Sequence, residues 1–258
     1  MQASIRIAEP QNKKVTPRLY AIPVAFLVSI VITGNLIGHY IVHPVSFITI
    51  SAGLYCAPLA YITQTMISDV YGVKYGRLAI ILALGCTTMV FGVKELTIHI
   101  LGLPNDNMLT GAVLLAAIVS FFVAEYIAGT AVQLLKMHRW RRSLRTLTAL
   151  LITSVIDSFL FIGIAFWSIL PIHELSQMML DQLIIKVMLE IALLPLIRYI
   201  SEALIRVEKM DRLDELRFLN PFSFNLYYGE EHNVYEHPES ELKIKRQNNK
   251  KTLIKVED

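Results

Sequence analysis

The sequence predicts an all-α fold, a polytopic membrane protein built as a six-transmembrane-helix bundle. Of the 258 residues, 54% are hydrophobic and only 17% are charged, whereas a soluble domain is about 25% charged. The charged residues are concentrated in short connectors and at both ends, and long uniform apolar runs lie between them. Such runs leave almost no polar face for water and do not alternate. These features disfavour a soluble bundle of buried helices and a β-barrel.

The number of spans follows from the length of these runs. At 1.5 Å per residue, about 20 apolar residues are needed to cross about 30 Å of hydrocarbon. Six runs satisfy this requirement: Leu19–Gly38, Val45–Ser68, Leu78–Ile100, Met108–Leu135, Leu147–Leu170 and Leu183–Leu204. We therefore predict an N-terminal arm over 1–18, a membrane domain over 19–206 and a C-terminal tail over 207–258.

The positions of Lys and Arg predict the orientation of the spans. The N-terminal arm, the second and fourth connectors and the residues after the sixth run are rich in Lys and Arg. The first and fifth connectors have neither residue, and the third has only Lys94 at its edge. Since basic connectors stay in the cytoplasm, both termini are predicted to be cytoplasmic, in a chain that crosses the inner (cytoplasmic) membrane.

The C-terminal tail begins as a polar extension of the sixth run. We expect the sixth helix to continue into the cytoplasm through Leu213 and Leu216. It should stop at Asn220-Pro221, because proline removes a hydrogen-bond donor and restricts the residue before it. The remaining Lys-, Glu- and Asn-rich tail is predicted to be partly disordered.

Motifs for other functions are missing from the sequence. It has no nucleotide-binding loop, zinc signature or nucleophile elbow, and its two cysteines lie inside apolar runs. We therefore expect no cofactor, no metal, no direct contact with nucleic acid and no enzymatic activity. The expected partners are a small-molecule substrate and the lipid bilayer, and the sequence is compatible with a homo-oligomer.

Ionisable residues inside a membrane span are costly and usually face a cavity or a bundle interior. Asp157 lies near the middle of the fifth run, and Thr153 and Ser154 lie on the same helical face. Lys186 and Glu190, four residues apart, are predicted to pair with each other or with Asp157. Glu125 in the fourth run needs a partner or a proton, and Lys186 is one candidate partner.

The second run is unusually polar at its end. Pro58 is expected to break the helix and expose backbone groups, as in many transporters. Gln64 and Thr65 can donate and accept hydrogen bonds, which the edge of a heterocycle requires. Asp69 and Arg77 follow, and we predict that they form an ion pair or a gate at the cytoplasmic mouth.

These residues resemble a known family. The run Pro58-x-x-Tyr61, followed by Asp69-Val-Tyr-Gly72 and Arg77, resembles the second-span signature of the queuosine precursor transporter family, also called the VUT family. The stretch Ile156-Asp157-Ser158 through Trp167 resembles its fifth-span elements, and Lys186-Val187 with Leu194-Pro195-Leu196 resembles its sixth-span pattern. Asn35 falls where the family has a first-span asparagine. The resemblance extends from about Leu19 to Ile205.

The sequence also departs from the family pattern. Gln64-Thr65 replaces the family's Thr-Asp, and Asp69 replaces its glutamate. The fourth-span Gly-Gln-x-x-Asp element is absent, and Glu125 precedes the corresponding stretch. These departures concern the substrate and any proton coupling rather than the fold.

The resemblance implies import of a 7-deazaguanine precursor of the tRNA base queuosine. Asp157 would accept hydrogen bonds from the substrate, with aid from Asn35, Gln64 and Thr65. Tyr61 and Trp167 would supply aromatic walls, and Lys186 and Glu190 would complete the site. Three alternatives stay open. They are a vitamin-binding subunit served by a separate ATP-driven energising module, a membrane scaffold that works through its tail, and an intramembrane enzyme.

Overall fold

The computed structural model describes residues 17–45, 48–102 and 107–214. These residues form mainly α-helices, which are α1 (Ala21–Ile37), α2 (Ala57–Tyr71), α3 (Val73–Leu101), α4 (Asn107–Met137), α5 (Arg142–Phe166) and α6 (Ile172–Glu208). A two-stranded antiparallel hairpin, β1 (Ile41–Val45) and β2 (Ile48–Ser51), follows α1. A short 3-10 helix, Ala52–Tyr55, joins this hairpin to α2.

Three of these helices are long and apolar enough to cross a membrane. They cover Val73–Leu101, Gly111–Met137 and Arg142–Phe166, and α1 is a shorter apolar helix. The chain is therefore a mainly helical membrane protein, as the sequence predicts. The helix α6 begins at Ile172. Its first three turns are therefore formed by most of the residues that were expected to be a connector before the sixth run.

The structure corrects the prediction of one continuous helix over Val45–Ser68. The first part of this run pairs as a hairpin, with Ile41 opposite Ser51 and Val42 opposite Ile50. The strands are rich in β-branched residues, which favour extended backbone over helix. An apolar run by itself does not distinguish a buried strand from a helix. The described residues are therefore mainly α-helical, in agreement with the predicted class, with a small hairpin between α1 and α2.

Pro58 does not break a helix as expected. It lies in the first turn of α2, where its missing N–H costs nothing because such N–H groups have no intrahelical acceptor. Pro195, by contrast, lies well inside a helix, in the second half of α6. The sequence reasoning failed here because it extended the helix too far towards the N-terminus.

The end of α1 packs very closely on the 3-10 helix. A Cβ atom on Gly53 would lie 2.7 Å from the carbonyl oxygen of Gly34 and 3.1 Å from the Cα of Gly38. The Ser51 hydroxyl donates a hydrogen bond of 2.5 Å to the Gly38 carbonyl. Glycine at position 53 lets the two backbones meet, and this contact fixes the hairpin against the bundle.

The residues after α6 turn back instead of continuing the helix. We call Lys209–Asp214 the return segment. Lys209 has a left-handed backbone with φ of 53°, which ends the helix. The Arg212 N–H then donates to the Val70 carbonyl at 3.0 Å, and the Asp214 carboxylate accepts from the Val73 N–H at 2.8 Å. The predicted continuation through Leu213 is therefore wrong, and Leu216 and Asn220-Pro221 lie outside the described residues.

The return segment is anchored by Met210, which is fully buried against the main apolar cluster. We predict that Met210→Ala lowers the free energy of unfolding by about 2–5 kcal/mol, because it removes a buried side chain and leaves a cavity. Thermal unfolding of the purified protein in detergent measures the effect. Met188→Ala is the matched control, since Met188 is 65% exposed on α6. Equal stability of the two variants would show that the return segment does not contribute to the fold.

Candidate functional site

A cavity lies between the helices near the hairpin. It is lined by residues of α1, the 3-10 helix, α2, α4, α5 and α6, together with Ser51 of β2. The space free of protein atoms is about 540 Å³, part of which opens to the exterior. The lining side chains on which the site's chemistry depends are Asn35, Tyr61, Phe121, Asp157, Phe161 and Lys186.

A buried ion pair forms the polar wall of this cavity. The Lys186 ammonium donates to the Asp157 carboxylate at 2.5 Å and to the Ser158 hydroxyl at 3.2 Å. Lys186 is 1% exposed and Asp157 is 6% exposed. Of the pairings that the sequence left open for Lys186, the structure selects the one with Asp157. Each charge compensates the other where both side chains are largely withdrawn from water.

Aromatic rings flank this pair. The rings of Tyr61 and Phe121 are stacked, with centroids 6.2 Å apart and planes at 29°. The Lys186 ammonium lies 5.7 Å from the centroid of the Tyr61 ring, and Phe161 also lines the cavity. Sequence reasoning missed Phe121. Its position one helical turn before Glu125, on the same face of α4, is the signal that could have identified it.

Asn35 reaches the cavity from α1, as its place in the sequence led us to expect. Its amide nitrogen donates to the Val31 carbonyl of the same helix at 2.8 Å. The side chain is only partly buried. Its carbonyl oxygen can therefore serve as an acceptor for a bound molecule.

Two of the predicted binding residues lie elsewhere. Gln64 is fully buried, but its amide donates to the Gly76 carbonyl at 2.8 Å and so joins α2 to α3. Trp167 follows the end of α5 and is 68% exposed. Neither lines the cavity. The sequence could not reveal this, because helical spacing does not show which neighbouring helix a polar face will meet.

Thr65 and Glu190 lie one helical turn beyond the cavity lining. Thr65 is four residues after Tyr61 on α2, and Glu190 is four residues after Lys186 on α6. Both are buried, at 1% and 0% exposure. Glu190 accepts a hydrogen bond of 2.5 Å from the Ser154 hydroxyl. The structure therefore separates these two predicted site residues from the cavity itself.

A second group of charges lies at the far end of the bundle from the cavity. Asp69 forms ion pairs with Arg145 at 2.6 Å and Arg142 at 3.2 Å. Arg142 also pairs with Asp211 of the return segment at 3.0 Å. The Lys136 ammonium contacts Asp211 and donates to the Asp69 and Arg212 carbonyls. We call Asp69, Lys136, Arg142, Arg145 and Asp211 the charge cluster.

Among the described residues, Asp69 does not form the predicted ion pair with Arg77. The ion-pair partners of Asp69 come from α4 and α5. The Arg77 guanidinium instead lies over the ring of Tyr126, 4.7 Å from its centroid. The arginines near the start of α5 are far from Asp69 in sequence, so spacing along α2 and α3 gave no indication of them.

The structure thus defines a helical membrane protein with a partly open, mainly apolar cavity whose wall carries a buried ion pair. Residues 51–200, more than half of the chain, match the model of the family described as "Putative vitamin uptake transporter". The chain belongs to this vitamin uptake transporter family, which confirms the family that its motifs resemble. No curated protein and no solved structure matches it. The match begins after Asn35 and does not cover α1.

Removing one member of the buried pair should destabilise the protein strongly. We predict that Lys186→Met lowers the free energy of unfolding by about 3–5 kcal/mol, because Asp157 is left as an uncompensated buried charge. The double variant Lys186→Met/Asp157→Asn should recover most of this loss, since both charges are then absent. Thermal unfolding in detergent measures both changes.

The control for this prediction is Arg198→Met. Arg198 pairs with Glu202 one turn away on α6, and the two side chains are 61% and 38% exposed. An exposed pair contributes little to stability, so this variant should unfold close to the wild type. A double variant as unstable as Lys186→Met alone would contradict the pairing argument.

Proposed function

We propose that this protein imports a queuosine precursor, a 7-deazaguanine base, across the cytoplasmic membrane for salvage into tRNA. The observation that carries the proposal is the buried Lys186–Asp157 pair beside stacked aromatic rings in the cavity. The membership of the chain in an uptake transporter family supports the same class of function. The proposal adds the substrate, which the family match leaves undefined.

The polar wall suits the edge of a deazaguanine. That edge presents two adjacent N–H donors and one carbonyl acceptor. The Asp157 carboxylate can accept from both donors, and the Lys186 ammonium can donate to the carbonyl. Tyr61, Phe121 and Phe161 supply apolar walls for the flat ring system. Asn35 lies on the α1 side of the cavity, within the same lining.

Adenine has a different edge, with an acceptor where guanine-like bases have a donor. It would leave the carboxylate facing a lone pair, and unmatched polar groups in a buried site cost binding energy. In cells that cannot make queuosine, unlabelled guanine and 7-deazaguanine bases should therefore compete with uptake of a radiolabelled deazaguanine base. Adenine at the same concentration should compete at least about tenfold less well. Equal competition by adenine would contradict this arrangement of donors and acceptors.

The role of Asp157 in transport can be separated from its role in folding. We predict that Asp157→Asn lowers uptake by about tenfold or more, since a charged hydrogen bond contributes roughly 1.5–3 kcal/mol. The double variant Asp157→Asn/Lys186→Met removes one charge of each sign, so it leaves neither partner unpaired, and it should still transport poorly. Arg198→Met is the matched control that should transport normally. Normal uptake by a correctly inserted double variant would show that the pair serves packing only.

The import proposal includes six crossings with both termini in the cytoplasm. The 15 residues of α2 span only about 22 Å, less than the hydrocarbon core of about 30 Å. The hairpin and the 3-10 helix would complete this crossing as a re-entrant element. Non-helical backbone is tolerated at membrane depth where it lines a cavity. Ser51, Gly53 and Leu54 line this one, so the cavity mouth would face the outer side.

The orientation is tested by tags at Met1 and Asp258. Both tags should be protected from a membrane-impermeant reagent in intact spheroplasts and labelled after lysis, because the basic connectors hold both ends inside. A single cysteine placed at exposed Tyr40, just before the hairpin, should be labelled from outside. Protection of that cysteine together with labelling of either tag would reverse the orientation.

A further inference from the structure

In the region one helical turn from the cavity, on the side away from the hairpin, buried carboxyl groups outnumber buried basic groups. Glu125 on α4 and Glu190 on α6 are 1% and 0% exposed. Both interact electrostatically with Asp157 and with each other. The Lys186 ammonium interacts with Glu190, but it is already paired with Asp157. The region therefore has two carboxyl groups more than the pair can neutralise.

The two glutamates differ in their hydrogen bonds. One oxygen of Glu190 accepts from the Ser154 hydroxyl at 2.5 Å, and its other oxygen has no partner among the described residues. Neither carboxyl oxygen of Glu125 has such a partner. The hydroxyl of Thr65, also buried, is likewise without a partner in the described part of the chain.

Helical spacing places these groups together in one layer. Thr65, Glu125 and Glu190 each lie four residues after a residue of the cavity wall, namely Tyr61, Phe121 and Lys186. Ser154 lies four residues before Ser158, the hydroxyl that contacts Lys186. On an α-helix, a step of four residues keeps the same face and moves one turn along the axis. The carboxyl layer, defined as Thr65, Glu125, Ser154 and Glu190, is therefore the next turn below the cavity.

Within residues 17–45, 48–102 and 107–214, the surroundings of Glu125 do not supply a second cation to balance it. Tyr61 faces it from α2, Asp157 from α5 and Glu190 from α6, and the nearby Lys186 interacts with Glu190. From α3, the Arg77 guanidinium lies over the ring of the neighbouring Tyr126. A carboxylate without a counter-charge is very costly in a low-dielectric interior, whereas the neutral acid costs far less. Two such groups close together cannot both remain charged.

We propose that the carboxyl layer binds and releases the proton that drives import, with Glu125 as the main carrier and Glu190 beside it. This inference rests on the proposed import function. The step is a simple equilibrium in which a carboxylate and a proton form a neutral acid. A proton needs no coordination shell, only a carboxyl group that can exist in its neutral form. Substrate that takes up the hydrogen bonds of Asp157 and Lys186 weakens their mutual contact and so alters the electrostatic field at the layer, which couples the two events.

The first test needs no substrate. Infrared spectra of the full-length wild-type protein at neutral pH should show the C=O stretch of a protonated, buried carboxylic acid, which a carboxylate lacks. Glu125→Gln should remove part of this band. Glu202→Gln is the control, because Glu202 is exposed and paired with Arg198. A band that neither Glu125→Gln nor Glu190→Gln changes would overturn the proposal.

The second test measures coupling in proteoliposomes that contain the full-length protein. With a gradient of one pH unit and no sodium, the wild type should accumulate a radiolabelled 7-deazaguanine base about tenfold, as expected for one proton per substrate. Counterflow of the same base between equal pH values gives the uncoupled rate. In Glu125→Gln, the ratio of accumulation to counterflow should fall to the value seen without a gradient.

The outcomes separate the two proposals. Wild-type counterflow with accumulation that follows a sodium gradient instead of the pH gradient would overturn the proton layer and leave import intact. Absence of counterflow of any deazaguanine base would sink the import proposal, while the infrared band would still support the protonated layer. The wild-type measurements need no variant, so they distinguish these outcomes even if Glu125→Gln fails to fold.

Discussion

The ion pair between Lys186 and Asp157 is the interaction around which the other polar groups in the bundle are arranged. Transfer of an ammonium or a carboxylate from water to a dry interior costs several kcal/mol, and good pairing geometry is needed to offset it. The pair joins α5 to α6 at the cavity wall. Its position means that any molecule entering the cavity meets two fixed, opposite charges, whereas the surrounding wall is aromatic and apolar.

Buried charges are also compensated at the far end of the bundle, but by a larger group of residues. There, Asp69 and Asp211 are shared among Lys136, Arg142 and Arg145. Several helix ends and the return segment contribute to this cluster, so it joins parts of the chain that are distant in sequence. Near the cavity, by contrast, acid exceeds base. Among the described residues, the carboxylates of this cluster are therefore all paired with basic groups, whereas not all of those near the cavity are.

Sequence reasoning predicted the membrane class and the positions of most helices, because hydrophobic length and connector charge depend on local composition. It also identified four residues that the structure brings to one cavity, namely Asn35, Tyr61, Asp157 and Lys186. It failed for the hairpin, because an apolar β-branched run satisfies a strand and a helix equally well. It also failed for Gln64 and the return segment, whose partners are set by tertiary packing on α3 and on the turn at Gly72.

The place of the return segment in the chain has a consequence for biogenesis. Its contacts with Val70 and Val73 link the last described residues to the turn between the second and third helices. During synthesis, the N-terminal parts of a chain emerge first. The contacts of this turn with the return segment can therefore form only after all of α6 has left the ribosome. Until then, Lys136 and Arg142 lack Asp211 as a partner. Insertion of the helices and completion of this end of the molecule are therefore separate events in time.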